Sequence, residues 1–265
     1  MKNFILLASL FIVLHACNQK KTTLKQIAKV ETKVAVAKKT DSSKQQQQQR
    51  ITKAFVLGKF NYKTDTSFVK ANAIYTTKTI YLKNTVYKAF IAMYNHAKSD
   101  GITLKMVSGT RNFYEQKAIW ERKWHKYANL TPIKRAKKIL EFSSMPTTSR
   151  HHWGTDIDIN NLNNSYFEKG QGKTEYDWLV NNANKYGFYQ VYTTKGAGRT
   201  GYNLERWHWS YLPLSSQYLE VYNTSISYQD INGFKGSKLA ESLNIITYYV
   251  NGISEQIKLL SASKK

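Results

Sequence analysis

The sequence predicts an α+β fold, in which a single domain contains a small, mainly antiparallel sheet with flanking helices. Apolar residues recur at helical spacing in several stretches, as Val86, Phe90, Met93 and Ala97 do. Short runs between these stretches alternate as strands do, most clearly at 156–159, where Asp and Ile alternate. Strands and helices in this mixed order, without internal repeats, are typical of an α+β domain.

The helices are predicted from apolar spacing together with start and stop signals. The first begins at Asn84 and ends before Asp100-Gly101, and a later one ends at Gly187. Pro132 suits the first turn of another helix. The predicted helices are 84–100, 113–127, 132–142, 176–186 and an apolar stretch at 239–253. The predicted strands are 79–82, 104–108, 155–159 and 205–211.

The charge balance of the chain is strongly positive. Its 265 residues include 40 Lys and Arg against 17 Asp and Glu, a formal net charge of +23. Such an excess favours polyanionic partners, which include nucleic acid, anionic lipid and acidic cell-wall polymers. Charge alone does not choose among them. The cations are mostly Lys, spread over the chain without a recognisable nucleic-acid-reading module, so no nucleic-acid partner is expected.

The N-terminus carries the features of an exported protein. Lys2 precedes an apolar run at 4–14 that is too short to span a membrane and has the proportions of a secretory signal. The run ends at Leu14-His15-Ala16-Cys17, which resembles the lipobox of bacterial lipoproteins. The resemblance implies removal of 1–16 and lipidation of Cys17, giving an exported lipoprotein anchored in a membrane and facing the periplasm or cell envelope. An ordinary signal peptide, or a short buried helix with an incidental Cys, is the alternative.

The segment that follows is unsuited to a folded core. Residues 18–50 are rich in Lys, Thr, Ser and Gln and contain no aromatic residue. Such a composition predicts a disordered, basic and Gln-rich tether over 17–50. We predict the folded domain over 51–225 and a partly helical C-terminal extension over 226–265. Cys17 is the only Cys, so an intrachain disulfide and a Cys-based zinc site are both excluded.

The first cluster of chemically active side chains lies between Ser149 and Asp158. It contains two His residues, a Gly and two Asp residues within ten positions. Gly154 allows a sharp turn, so that a His before the turn and an Asp on the following strand converge on one point. Asp156 and Asp158 lie on the same face of that strand. If His151 is the residue that points to this site, the adjacent His152 should point away from it.

A second cluster places Glu205 three residues before His208 on an aromatic-rich run. If this run is a strand, Trp207 and Trp209 project to the side opposite His208. A hydrolytic zinc site needs about three N or O ligands from the protein and an open position for water. From the residues alone, the two clusters fit either such a metal site or a set of buried His and Asp residues in structural hydrogen bonds. His96 and His125, in predicted helices, have no partner at a useful spacing.

Together the motifs resemble those of the VanY-type D-alanyl-D-alanine carboxypeptidase family, which also includes L,D-carboxypeptidases. The resemblance rests on Ser149-x-His151-x-x-Gly154-x-x-x-Asp158, on Glu205-x-Trp207-His208 and on Ser108-Gly109-Thr110-Arg111 with Gln116. It covers about residues 55–215 and implies a fold shared with the Hedgehog signalling domain, with a zinc site at the sheet. The domain over 51–225 would then be a zinc peptidase domain.

The resemblance also implies roles for individual residues. His151, Asp158 and His208 would bind one Zn²⁺, and Glu205 would be the general base. Arg111 would contact the substrate carboxylate or the oxyanion. Ser149 and Gln116 would contact the substrate. Asp156 departs from the family pattern, in which many members have Ala, and would be either a partner of a ligating His or a solvated group.

The implied function is removal of a C-terminal D-amino acid, D-alanine, from peptidoglycan stem peptides by a monomeric enzyme. Two alternatives remain open. One is a peptidoglycan endopeptidase on the same fold, and the other is a non-catalytic, zinc-containing lipoprotein that binds the wall. Glu205 argues against the second, because a structural zinc site needs no general base. A nucleic-acid binder is supported by charge alone.

Overall fold

The computed structural model describes residues 51–262, which belong to one compact unit that begins at Ile51. The predicted signal peptide, Cys17 and tether lie outside the described residues. The α+β prediction is confirmed. A four-stranded antiparallel sheet has the order β3-β4-β6-β5, and a separate antiparallel pair is formed by β1 and β2. The strands are β1 Phe68–Lys70, β2 Tyr81–Lys83, β3 Met106–Ser108, β4 Asp156–Ile159, β5 Phe188–Gln190 and β6 His208–Tyr211.

Seven α-helices surround these strands in the described part of the chain. They are α1 Lys53–Val56, α2 Asn84–Ser99, α3 Phe113–Lys126, α4 Pro132–Ile139, α5 Gly170–Asn182, α6 Leu212–Ser225 and α7 Glu255–Ala262. None of the helices within 51–262 is long and apolar enough to cross a membrane. The helices predicted from spacing at 84–100, 113–127 and 132–142 correspond to α2, α3 and α4. The helix predicted at 176–186 begins earlier, at Gly170, and its last turn, Ala183–Tyr186, is a 3₁₀ helix.

Helix α3 forms one wall of the functional region, and its start is specified locally. The Asn112 side chain accepts a hydrogen bond from the amide of Glu115, and the Glu115 carboxylate accepts one from the amide of Asn112. This reciprocal capping box satisfies two amides that a helix N-terminus otherwise leaves unpaired. Towards the other end of the helix the side chains of Trp120 and Trp124 are buried, and the Trp120 indole donates a hydrogen bond to the carbonyl of Lys235.

The C-terminal segment, predicted as an extension, is continuous with the core of the domain. Ile231, Ala240, Ile245 and Val250 are buried in the same cluster as Trp120 and other residues before 225. The apolar stretch at 239–253, predicted as a helix, instead forms short turns, including a single π-helical turn at Ile246–Val250. The helix prediction there is wrong because Asn244 adopts a left-handed conformation (φ 49°), which interrupts regular helix.

The C-terminal segment holds the loop that precedes β6. Arg199 is 3% exposed, and its guanidinium donates hydrogen bonds only to backbone carbonyls. The acceptors are the carbonyls of Thr193, Thr200 and Tyr202 in the loop and of Gly252 in the C-terminal segment. One planar, five-donor group thus joins the loop to the C-terminal segment.

This arrangement predicts that Arg199 is a major contributor to stability. Arg199→Ala should lower the free energy of unfolding by about 2–4 kcal/mol, because several buried carbonyls lose their donors. Arg199→Lys should recover only part of the loss, since an ammonium cannot reach carbonyls on both sides. Urea unfolding monitored by circular dichroism measures both. Lys126→Gln, an exposed change on α3, is the control and should stay within about 0.5 kcal/mol of wild type. If wild type, the two Arg199 variants and the control unfold with equal free energies, the hydrogen bonds of Arg199 to these carbonyls do not contribute to stability.

Candidate metal and catalytic site

The two central strands of the sheet bring the two chemical clusters of the sequence together. In the register of β4 and β6, Asp158 lies opposite His208 and Asp156 lies opposite Ser210. Alternation along β4 sends Ile157 and Ile159 into the core and both Asp side chains to the other face. Residues fifty positions apart in sequence therefore share one face of two neighbouring strands.

His151 reaches the same point from a 3₁₀ turn, Arg150–Trp153, which ends at Gly154. Gly154 has φ 71°, and a Cβ atom there would lie 2.3 Å from the Phe68 ring. Only Gly fits this reversal, both for conformation and for space. The turn places His151 directly before β4, where its Nδ1 donates to the carbonyl of Gly109 at 2.9 Å.

Three potential ligand atoms converge at this point. His151, Asp158 and His208 each offer one atom, and the three atoms all lie within 4.8 Å of one another. Asp158 Oδ1 is 3.5 Å from His151 Nε2 and 3.2 Å from His208 Nδ1. Oδ1 is buried and has no hydrogen-bond donor. A buried carboxylate oxygen without a donor, facing two imidazole nitrogens, fits a bound cation.

The remaining nitrogen of each His is satisfied, which determines the tautomer that a metal requires. His151 uses Nδ1 for Gly109, so Nε2 carries the free lone pair. His208 Nε2 lies 2.9 Å from Asp156 Oδ2 and donates to it, so Nδ1 is the nitrogen that faces Asp158 and would bind a metal once it has lost its proton. Metal-bound His residues usually donate their second N–H to a carbonyl or carboxylate in this way. Of the two roles considered for Asp156, partner of a His is the one that the structure shows.

Asp156 is fully buried and is held by further donors. Its carboxylate accepts hydrogen bonds from Arg150 Nε at 2.8 Å, from Ser210 Oγ at 2.7 Å and from Thr155 Oγ1 at 2.8 Å. Arg150, also buried, donates in addition to Ser210 at 2.7 Å. Arg150 and Ser210 were not identified from the sequence. The one available signal was an Arg directly before a candidate ligand, which by itself is uninformative.

The carboxylates and imidazoles of the cluster shift one another's protonation. Burial lowers the pKa of His208, but the carboxylates of Asp156 and Asp158 outweigh it and raise that pKa to about 9. Burial raises the pKa of Asp158, yet the two imidazoles hold it well below its usual range. Burial lowers the pKa of His151. Asp158 is therefore ionised at neutral pH, as a metal ligand must be.

Glu205 lies beside the three ligand atoms. Its Oε2 is 3.5 Å from His208 Nδ1, and its side chain is almost fully buried. The backbone amide of Glu205 donates to the Tyr192 carbonyl, and its carbonyl accepts from the Gln190 amide side chain. Burial raises the pKa of Glu205 to about 8. A carboxylate with such a pKa can both accept and release a proton near neutral pH.

The same cleft is lined by Arg111, Gln116 and Ser149. These side chains differ in whether their polar atoms already have hydrogen-bond partners within the protein. Arg111 donates from Nη1 to Ser108 Oγ and from Nε to Gln116 Oε1, and Gln116 donates to the Ser144 carbonyl at 2.8 Å. Gln116 therefore orients Arg111 and is itself occupied by protein groups. Ser149 Oγ is buried without a partner and is available for a ligand.

His152, the neighbouring His, lies outside the site, as expected. Its Nδ1 donates to the Arg111 carbonyl at 2.7 Å, and its Nε2 accepts from the Thr147 amide at 3.1 Å. Burial lowers the pKa of His152 to about 3, so the ring is neutral. His125 and His96 also stay apart from the three ligand residues.

The site opens into a cleft of about 740 Å³. It is lined by the three candidate ligand residues, Glu205, Arg111 and one face of α3.

Trp207 also lines the cleft, which corrects the prediction that its side chain projects to the side opposite His208. Regular strand geometry begins only at His208, after a turn in which the His208 amide donates to the Glu205 carbonyl. Trp209, within β6, does lie in the core as predicted.

Comparisons with known proteins cover this region. The sequence profile of VanY, described as D-alanyl-D-alanine carboxypeptidase, matches residues 79–214, a little more than half of the chain. The putative carboxypeptidase YodJ of Bacillus subtilis (strain 168) is 31% identical over 134 residues, which is 50% of this chain and 46% of that protein. A D-alanyl-D-alanine carboxypeptidase of Enterococcus faecium is 28% identical over 137 residues, 51% of this chain and 39% of that protein. The matched region thus spans less than half the length of these relatives.

Solved structures are similar at lower identity. VanYB in complex with D-alanine-D-alanine has a TM-score of 0.48 at 21% identity, covering 70% of this chain and 92% of that one. The LD-carboxypeptidase LdcB has a TM-score of 0.48 at 22% identity, covering 73% of this chain and 79% of that one. The profile match includes Arg111, the three ligand residues and Glu205. By that match, the chain belongs to the VanY family of D-alanyl-D-alanine carboxypeptidases.

Proposed function

We propose that the protein is a zinc-dependent carboxypeptidase that removes a C-terminal D-amino acid, D-alanine, from peptidoglycan stem peptides. The observation that carries the proposal is a buried carboxylate, Glu205, beside three convergent ligand atoms that leave room for further ligands. A structural zinc site usually has four protein ligands and no general base. Family membership and the relatives named as carboxypeptidases support the reaction type. A solved VanY D,D-pentapeptidase described as a Zn(II) complex supports the choice of metal.

The donor set suits zinc. Two imidazole nitrogens and one carboxylate oxygen, with both His residues oriented by second hydrogen bonds, are the ligands of many hydrolytic zinc sites. A zinc ion held by His151, Asp158 and His208 would polarise the scissile carbonyl and make a bound water more acidic. The remaining steps depend on groups of the chain itself.

Glu205 is suited to move the proton of the reaction. The attacking water adds its oxygen to the scissile carbonyl carbon, and Glu205 Oε2 accepts the proton that this water loses. When the C–N bond breaks, the same carboxyl group delivers the proton to the leaving nitrogen. The products are a shortened peptide with a new carboxylate and a free amino acid. Burial raises the pKa of Glu205 and the charge of a bound zinc ion would lower it, and these opposing effects together set the proton affinity on which both transfers depend.

Arg111 is suited to recognise the terminal carboxylate of the substrate. Ser108 and Gln116 fix two of its nitrogens, so the guanidinium is held in place before a substrate arrives. A fixed guanidinium can bind a carboxylate with two parallel hydrogen bonds. Ser149 Oγ, buried and without a partner, would add a further hydrogen bond to the substrate. In an endopeptidase, no terminal carboxylate would be present for Arg111 to bind.

We also propose that the protein is exported and anchored in a membrane through a lipid on Cys17. The support for this is the sequence alone, in Leu14-His15-Ala16-Cys17 after an apolar run. The positive charge of the chain would add attraction to an anionic lipid or wall surface, and salt would weaken that attraction.

Replacement of Glu205 should separate chemistry from metal binding. Glu205→Gln should retain zinc, because the three ligand residues are unchanged, while kcat falls by at least about a hundredfold through loss of the general base. Zinc content by elemental analysis and steady-state hydrolysis of a peptide ending in D-alanyl-D-alanine measure the two effects. Asp177→Gln, at an exposed carboxylate on α5, is the control and should match wild type. A Glu205→Gln protein with undiminished kcat would rule out this role.

Terminal amidation of the substrate should distinguish exopeptidase from endopeptidase activity. Wild type should hydrolyse a free-carboxylate peptide with a kcat/KM at least about tenfold above that of its amide, because only the former offers the charge that Arg111 binds. Arg111→Gln should abolish most of this difference. Product mass spectrometry identifies the bond that is cut. Equal cleavage of both peptides by wild type, with products cut inside the stem, would favour the endopeptidase alternative.

A further inference from the structure

The cleft continues along one face of α3 beyond the groups used above. Gln116, Ile119 and Lys123 line it at spacings of three and four residues, so they follow one helix face, and Arg122 lies beside them. Gln116 orients Arg111 near the start of the helix. Lys123 is seven residues further on, which corresponds to about 10 Å along the helix axis. The cleft therefore has a second cationic group about two helical turns beyond Gln116, the residue that orients Arg111.

Lys123 is placed in an unusual environment for a lysine. Its side chain is half-buried in the cleft wall, and its Nζ donates to Ser143 Oγ. Burial lowers the pKa of the Lys123 ammonium, and the nearby charge of Glu205 opposes this effect only in part. Within the described residues, no carboxylate forms an ion pair with Lys123, and Arg122 likewise has no acidic partner. Lys123 is thus a partly desolvated cation whose cost of burial is offset only in part, and an anionic ligand would offset more of it. Arg122, beside it, is exposed.

The cleft has an excess of positive charge that such an anionic ligand would neutralise. Apart from the Arg150–Asp156 pair, the cationic side chains that line it are Lys78, Arg111, Arg122 and Lys123, and the acidic ones are Glu115, Asp158 and Glu205. Glu115 is already engaged by the Tyr62 hydroxyl. A divalent ion at the three ligand residues would increase the positive excess. One terminal carboxylate at Arg111 does not balance these charges.

The surroundings of Lys123 also suit a peptide. Phe142, next to Ser143, is 44% exposed at the edge of the cleft, and its ring centroid lies 6.1 Å from that of Trp207. An apolar edge beside a cation reduces the access of water and strengthens an ion pair formed there. The ~10 Å along the helix between Gln116 and Lys123 corresponds to about three residues of extended peptide.

We propose that Lys123 and Arg122 form a subsite for a second carboxylate of the substrate peptide, on a residue N-terminal to the scissile bond. The substrate class is then an acidic stem peptide with a free carboxylate inside the chain as well as at its end. The inference rests on the proposed carboxypeptidase function, because it places both carboxylates on one peptide. Lys123 and Arg122 are specificity-determining residues on this account and take no part in bond breaking.

A set of matched peptides tests the subsite. Each ends in D-alanyl-D-alanine and carries Glu or Gln at one of the three positions that precede this terminal dipeptide. With the full-length chain, wild type should prefer Glu over Gln by about tenfold in kcat/KM at one position, mainly through KM. The Arg122→Gln/Lys123→Gln double variant should reduce this preference to within about twofold, and any change in its kcat should be the same for the Glu and Gln peptides. Lys126→Gln, on the same helix but outside the cleft, should keep the full preference.

Three outcomes would overturn the inference. They are a wild type without a Glu preference at any position, a double variant that retains the preference, and a double variant that loses discrimination against terminal amidation instead. The last outcome would show that Lys123 binds the terminal carboxylate of the substrate.

If no peptide is hydrolysed, the proposed function fails, but the subsite can still be tested by calorimetry. At one of the three positions, zinc-loaded Glu205→Gln protein should then bind the Glu peptide about tenfold more tightly than its Gln counterpart, and equal affinities at all three positions would refute the subsite.

Discussion

The buried carboxylate of Asp156 is the group on which the geometry of the site depends. Its Oδ1 accepts hydrogen bonds from Ser210 and Thr155, and its Oδ2 accepts them from Arg150 and from Nε2 of His208. A fully buried Asp is tolerated only when its charge is paired and its oxygens are hydrogen-bonded, and here both conditions are met. The consequence for function is that His208 presents Nδ1 to Asp158 and His151. Without Asp156, neither the tautomer nor the orientation of His208 would be defined.

The same network connects the sheet to the walls of the cleft. Arg150 comes from the turn before β4, Asp156 from β4 and Ser210 from β6, so the pairing of these strands and the ion pair support each other. Next to Arg150, His151 is one of the three candidate metal ligands. One residue further, His152 joins the Arg111 carbonyl to the Thr147 amide. These three consecutive side chains therefore have three different sets of partners, and only His151 belongs to the candidate metal site.

Much of the site could be predicted from the sequence because its signals are local. A Gly that permits a reversal, two Asp residues in alternation and a Glu three residues before a His constrain which side chains can meet. The fold class followed from apolar spacing for similar reasons. The burial of Arg150, in contrast, depends on partners that come from two strands and a turn. No periodicity in the sequence indicates that an Arg next to a ligand lies inside the protein rather than in solvent.

The errors of prediction also have local physical causes. Alternation was extended through 205–211, but the chain turns between Glu205 and His208, which brings Trp207 into the cleft. At 239–253 the apolar spacing is helical, yet Asn244 has a positive φ, and a Cβ at Gly252 would lie 2.1 Å from the Tyr248 carbonyl. Tight packing against the loop at 199–202 is thus favoured over a continuous helix. Such tertiary constraints are not visible in spacing alone.

Zinc binding by wild type, His152→Ala and His208→Ala shows which of these histidine side chains hold the metal. Titration of metal-free protein with zinc, in competition with a chromogenic chelator, gives both stoichiometry and affinity. Wild type and folded His152→Ala should each have about one tight site per chain, and His208→Ala should lose that site. Tight binding retained by His208→Ala, or lost by a folded His152→Ala protein, would show that the three assigned residues do not form the zinc site.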